Sequence, residues 1–183
     1  MKKSITGFMK LLSLTIVLAM IMPVITNAQA GKVNFAGSWT YNAAKSTQPP
    51  AGGGGGQGGG GGMMRMGGGD RVVTQEAILL TSATTRNGQD GTPTTTTLKY
   101  TLDGKESINT NPRGDSKSVA TWSADGKTLT IKTSRTMDMN GQSMTMNSTE
   151  EWTLTDPKIL TIVSTRNGQD GTPMKTTMVF DKK

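Results

Sequence analysis

The sequence predicts an all-β fold in which an antiparallel up-and-down meander closes into a barrel. After residue 70, short threonine-rich runs alternate with Asn-Gly and Asp-Gly dipeptides, which favour tight hairpin turns. No segment shows sustained helical periodicity. The chain contains no cysteine, so its strand edges must be protected without disulfides. Closure into a barrel removes those edges, and this favours a barrel over an open sheet.

The first thirty residues have the three parts of a secretory signal. Basic residues at Lys2, Lys3 and Lys10 precede an apolar run from Leu11 to Ile25, and the small-residue site Ala28-Gln29-Ala30 follows. The apolar run is short for a transmembrane helix, which needs about 20 such residues. We therefore predict a signal peptide over residues 1–30. The mature protein is then periplasmic or secreted and has no stable membrane anchor.

Residues 31–183 have the size of one domain. Of the 20 Lys and Arg residues, three precede the cleavage site, so 17 face 13 acids and the mature charge is 17 minus 13, or +4. These basic residues are scattered and are not interleaved with aromatic residues, so the pattern does not predict nucleic-acid binding.

The absence of histidine and cysteine excludes several chemistries. A Ser-His-Asp triad, a thiolate nucleophile and the usual zinc sites all need one of these residues. No spacing of carboxylates places two of them on one site. The sequence therefore predicts no enzyme, no catalytic residue and no cofactor.

The first strand and the segment behind it differ sharply in composition. Over residues 33–42, Val33, Phe35, Trp39 and Tyr41 alternate with polar or small residues, which is typical of a half-buried strand. Residues 47–70 are rich in glycine and proline and have little surface to bury. They predict a disordered, flexible insert between the first two strands.

The rest of the chain divides into strands between turn signals, and one of its turns is repeated. The octapeptide that begins at Arg86 recurs letter for letter from Arg166, which indicates duplication of a strand-turn-strand unit. Including the first strand, the predicted strands are 33–42, 71–75, 78–86, 94–101, 106–109, 117–123, 127–139, 142–154, 159–166 and 173–180.

The segment Gly37-Ser38-Trp39, followed by Asn42 and Lys45-Ser46, resembles the opening strand of small secreted bacterial lipocalin-like β-barrel domains. The resemblance implies a lipocalin-like barrel whose tryptophan closes one end. It also implies that the interior holds a small apolar molecule.

Strand parity identifies the side chains that would face such an interior. The candidate ligand-binding residues are Trp39, Tyr41, Tyr100, Trp122, Arg135, Glu150 and Trp152. The aromatic members would equally suit a filled core. Arg135 and Glu150 would either anchor a polar ligand head or lie at a wet end of the barrel, because charges facing a core are costly when unpaired.

A methionine-rich hairpin offers an alternative site. A two-residue turn at Asn140-Gly141 would pair Met137 with Met144 and put four methionines, Met137, Met139, Met144 and Met146, on one face. Thioether sulfur suits Cu(I), and Met63, Met64 and Met66 in the insert would add ligands. Methionine is equally a flexible apolar gap-filler.

Three functions thus remain open from the sequence. The first is a non-catalytic exported barrel that binds a small apolar or amphipathic ligand. The second is a methionine-rich Cu(I)-binding periplasmic protein. The third is an envelope structural or interaction protein that uses the threonine-rich outer surface and the insert to bind an unknown protein partner.

Overall fold

The computed structural model describes residues 31–47, 68–88, 90–110, 114–139, 142–167 and 171–183. The predicted signal peptide and most of the predicted insert, including Met63, Met64 and Met66, lie outside the described residues.

The described residues form ten β-strands and contain no helix, as the sequence predicts. None of the described segments is a helix with the length and apolar character needed to cross a membrane. The strands are β1 Gly37–Tyr41, β2 Asp70–Gln75, β3 Leu79–Asn87, β4 Pro93–Thr101, β5 Glu106–Asn109, β6 Ser116–Trp122, β7 Thr128–Met139, β8 Gln142–Asp156, β9 Ile159–Asn167 and β10 Pro173–Lys182.

The strands make one antiparallel sheet in the order β4-β3-β2-β1-β10-β9-β8-β7-β6-β5. Strands that are neighbours in sequence pair with each other except β4 and β5, which are the two edges, and β1 pairs with β10, so the sheet curls into a nearly closed barrel. The β7–β8 register pairs Met137 with Met144 and Arg135 with Met146, which confirms the predicted hairpin alignment. The meander predicted from the turn signals is therefore the observed topology.

The two edge strands, β4 and β5, meet through side chains. The Asn109 side chain accepts a hydrogen bond from the Lys99 amide at 2.8 Å and donates one to the Lys99 carbonyl at 2.9 Å. Ser107 Oγ accepts from the Thr101 amide at 2.8 Å. Asn109 thus supplies the donor and acceptor that a paired backbone residue would supply. The barrel is closed here by a side-chain seam, formed by Ser107 and Asn109 of β5 and by Lys99 and Thr101 of β4.

We expect Asn109→Ala to weaken this seam. The change removes both bonds to Lys99 and leaves its edge amide without a partner, at a cost of about 1–3 kcal/mol. Hydrogen exchange of the Lys99 amide should accelerate, and the urea midpoint should fall. Ile108→Ala is the matched control, because Ile108 is 61% exposed on the same strand. Equal exchange rates at Lys99 in both variants would show that the seam does not hold the edges together.

The first predicted strand is shorter than expected. Its predicted start, residue 33, precedes β1 by four positions, and residues 31–36 instead cross one end of the barrel. Val33 donates to the Gly126 carbonyl at 3.0 Å and Phe35 donates to Gln75 Oε1 at 2.9 Å, so the β6–β7 turn and the end of β2 hold this segment. The backbone changes direction at Gly37, whose φ of +150° favours glycine. The segment therefore plugs the barrel and does not extend its wall.

The plugged end contains the apolar core. Phe35 stacks on Trp122 at 5.8 Å between ring centroids and meets Trp152 edge-on at 5.9 Å. Burying these large side chains supplies most of the driving force for folding. The buried core cluster is Phe35, Trp39, Val73, Leu80, Tyr100, Leu102, Ala120, Leu129, Ile131, Trp152, Leu160, Ile162, Met178 and Phe180.

The short polar motif behind β1 has a structural role. Asn42 donates to Asp181 at 2.6 Å, and Lys45 pairs with the same carboxylate at 3.0 Å. Ser46 accepts from the Val179 amide at 2.9 Å. The three bonds fasten the segment after β1 along β10. The bonds from Asn42 and Lys45 hold the pKa of Asp181 below its ordinary value, because the charged carboxylate accepts them. Asn42, Lys45 and Ser46, which are part of the motif that resembles the family, therefore hold the chain after β1 against β10.

Candidate functional site

The inner face of the barrel changes from apolar to polar along the strands. On seven strands, the inner-face residue next to a core side chain, on the side away from the plugged end, is polar. We call these residues the polar belt: Arg71, Ser82, Ser118, Thr133, Glu150, Ser164 and Thr176. Thr133 and Glu150 are half-buried and the other members are buried. An interior with aromatic side chains at the plugged end and a polar belt beside them suits a molecule that has an apolar part and a polar part.

Arg71 is the central feature of the belt. Its residue is only 8% exposed, and its guanidinium lies 4.9 Å from the Trp152 ring centroid and 5.3 Å from that of Phe180. Nη1 donates to Ser82 Oγ at 3.3 Å, whereas Nε is buried and has no hydrogen-bond partner. A cation over aromatic faces is stabilised by the ring quadrupoles. Part of its hydrogen-bonding capacity remains unused.

The charge of Arg71 is poorly compensated. Burial lowers its pKa from the ordinary value, since desolvation penalises the charged form, and the negative charge of Glu150 opposes this effect. No ion pair joins Arg71 to a carboxylate among the described residues. Glu150 instead accepts a hydrogen bond from Trp152 Nε1 at 2.9 Å. The interior therefore presents a buried cation that an anion would stabilise.

Two further groups of the interior can bind a polar ligand atom. Burial raises the pKa of Tyr100, and the charge of Glu150 raises it further, so the phenol keeps its proton and remains a donor. Ser164 Oγ is buried and has no hydrogen-bond partner. Together with Arg71 Nε they give the interior three donors of different types.

The structure brings some of the predicted interior residues together and separates others. Trp152, Glu150 and Tyr100 lie around Arg71, as their contacts and charge interactions show. Trp39 is fully buried, but its Nε1 donates to the Phe35 carbonyl at 3.0 Å, so it belongs to the plug. Tyr41 packs edge-on against Phe180 at 5.6 Å.

The other two predicted residues lie apart from this group. Trp122 is half-buried at the plugged end, where its buried Nε1 has no partner. Arg135 is half-buried and pairs with Ser116 and Met146 in the sheet, further along β7 than the belt.

Arg71 was not among the residues predicted from the sequence. Its inward orientation could have been read from parity, because it lies two residues before the buried Val73 on β2. Its lack of an ion pair among the described residues could not, since this depends on which strands face β2 across the barrel.

No described residues form a cluster of three or more Cys, His, Asp or Glu side chains that could hold a metal ion. On the methionine hairpin, Met137 is half-buried, while Met144 is 48% and Met146 is 39% exposed. Met139 pairs with Gln142 in the ladder.

Comparison with known proteins identifies the fold. The sequence matches no protein-family model and no curated protein. The zebrafish ileal bile acid-binding protein, in complex with cholic acid, superposes with a TM-score of 0.50 at 14% identity, covering 81% of this chain and 98% of that chain. A mutant of the fluorescent protein UnaG gives a TM-score of 0.49 at 16% identity, covering 81% and 96%. The first likeness confirms the predicted all-β barrel.

Proposed function

We propose that the protein is a non-catalytic exported barrel that binds one small amphipathic molecule in its interior, with the acidic group of that molecule at Arg71. The observation that carries the proposal is the buried guanidinium, which has an unused Nε donor and no carboxylate partner among the described residues. A buried charge that is poorly compensated costs up to several kcal/mol, on the order of what an anionic ligand would recover.

The surroundings of Arg71 define the rest of the ligand. The Trp152 and Phe180 rings lie directly beside the guanidinium, so an apolar group attached to the acid would contact aromatic surface. The protonated Tyr100 and the free Ser164 hydroxyl would donate to further oxygens. That a barrel of the same fold is a bile acid-binding protein in complex with cholic acid supports a ligand of this class.

Export and the absence of catalysis are parts of the same proposal. Residues 1–30 have the composition of a secretory signal, and the periplasm or the medium is the compartment it implies. The one carboxylate of the belt, Glu150, has a charged arginine and a tryptophan N–H beside it. No second acid accompanies it in the belt, so this interior suits binding better than proton transfer.

A matched pair of ligands tests the proposal. Tryptophan fluorescence of the purified protein is titrated with dodecanoate and with dodecanol at neutral pH. The acid should bind tighter by about tenfold or more, because a charge-assisted hydrogen bond contributes about 1.5–3 kcal/mol and each 1.4 kcal/mol is tenfold. Arg71→Met should remove the difference, and Arg86→Met, at an exposed position of β3, should keep it.

Two outcomes would count against the proposal. Equal affinity for the acid and the alcohol would exclude Arg71 as the anchor. If neither amphiphile bound, the barrel interior would be a filled core, and the envelope-interaction alternative, which uses the outer surface, would be preferred.

A further inference from the structure

The β7–β8 hairpin extends beyond the barrel wall. β6 pairs with β7 only as far as Arg135, and β9 pairs with β8 only from Ser148 onward. In the described ladders, Thr136–Met139 therefore pair only with β8, and Gln142–Asn147 pair only with β7. We call these two segments the projecting ribbon.

The ribbon carries methionines at positions where packing does not account for them. Met137 lies directly opposite Met144, and Met146 lies two residues further along β8. Met144 and Met146 are among the most exposed large apolar residues of the described chain, and none of the three joins the described core cluster. The usual role of methionine, to fill irregular gaps inside a core, does not apply to them.

Cross-strand geometry lets these sulfurs converge. Directly opposed residues have Cβ atoms about 4.5–5.5 Å apart, and diagonal neighbours about 7–8 Å. Methionine has three rotatable side-chain bonds, so thioethers from these positions can reach one point above the ribbon. Outer-face neighbours such as Thr136 and Thr145 bond to each other at 3.2 Å, which keeps the two strands in register.

The chemistry of the donors selects the ion. Thioether sulfur is a soft ligand that prefers Cu(I) to hard or borderline ions. The whole chain contains no cysteine and no histidine, so methionine is its only good soft donor. Arg135 pairs with Met146, and its positive charge disfavours a divalent ion more than a monovalent one.

We propose that Met137, Met144 and Met146 bind Cu(I) as a three-thioether site on the projecting ribbon. The site is separate from Arg71 and does not depend on the proposed ligand. Binding changes no oxidation state and releases no proton, because thioethers bind metals in their neutral form.

The test is a competition titration of Cu(I) against bicinchoninate, without oxygen, on the whole protein after the predicted signal peptide, residues 31–183. The wild type should take up one Cu(I) per chain. The triple variant Met137→Leu, Met144→Leu, Met146→Leu should lose at least the roughly 10–100-fold affinity that changes to residues outside the ligand set typically cost. Leucine keeps the apolar volume, and far-ultraviolet circular dichroism should show an unchanged fold.

Two controls separate this site from the other methionines. Met63→Leu, Met64→Leu, Met66→Leu in the glycine-rich segment and Met174→Leu on β10 should each leave the affinity unchanged. X-ray absorption of the bound copper should show sulfur-only coordination. The proposal is overturned if the wild type binds no Cu(I), if the ribbon variant binds it as tightly as the wild type, or if the Met63–Met66 variant alone abolishes binding.

Discussion

Replacing Trp39 by alanine is expected to lower the free energy of unfolding by about 3–5 kcal/mol, the usual cost of removing a large buried aromatic side chain. Trp39 is fully buried, and its Nε1 donates to the Phe35 carbonyl, so the residue holds both the core and the plug. The loss is a large part of the 5–15 kcal/mol that stabilises a typical domain. Urea denaturation followed by circular dichroism measures it.

A pair of conservative changes isolates the hydrogen bond from the packing. Trp39→Phe removes the donor and leaves the Phe35 carbonyl unsatisfied, at a cost of about 1–3 kcal/mol beyond the lost volume. Trp122→Phe removes an N–H that has no partner and can keep the stack on Phe35, so it should cost much less. Equal losses for the two variants would show that the hydrogen bond from Trp39 to the Phe35 carbonyl does not stabilise the plug.

Replacing Arg71 by methionine is expected to raise the stability of the unliganded protein by about 1–3 kcal/mol, because an apolar side chain of similar length removes a buried and poorly compensated charge. The gain is reduced by the lost contacts with Trp152, Phe180 and Ser82. A residue kept for function at the expense of stability behaves in this way. Thermal unfolding without added ligand measures the effect.

With dodecanoate present, the same experiment should show the wild type to be more stable than Arg71→Met. Saturating dodecanoate stabilises whichever protein binds it, by an amount that grows with affinity. The wild type should therefore gain more in melting temperature than Arg71→Met. Arg86→Met is the control and should stay within about 0.5 kcal/mol of the wild type. A loss of stability in unliganded Arg71→Met would identify the guanidinium as a structural group.

Much of the fold follows from local chemistry in the sequence. All ten strands were predicted, because Asn-Gly and Asp-Gly dipeptides mark turns and threonine-rich runs favour strands. The β7–β8 register was also predicted, since a two-residue turn fixes every pair behind it. The predicted start of the first strand is wrong, because the alternation of apolar and polar residues continues through Val33 and Phe35. Only the contacts with Gly126 and Gln75 direct that segment across the barrel.

The closure and the site depend on distant parts of the chain, so the sequence predicted them less well. A closed barrel was expected, but the sequence gives no signal that Ser107 and Asn109 substitute for backbone pairing. Trp152 and Glu150 were expected inside from parity. Arg71 contacts Trp152 and Phe180 only because the sheet curls. These two residues lie on β8 and β10, which are far from β2 in sequence.

Binding of the acidic group at Arg71 is tested most directly by a ¹H–¹⁵N spectrum of the arginine Nε–H groups, recorded with and without dodecanoate and with dodecanol as the control. The Arg71 signal is assigned by its loss in Arg71→Met. We expect dodecanoate to shift this signal and to slow its exchange with water, while dodecanol does neither. If dodecanoate leaves the Arg71 Nε–H unchanged and shifts only the signals of other arginines, the acidic group binds elsewhere and Arg71 is not its anchor.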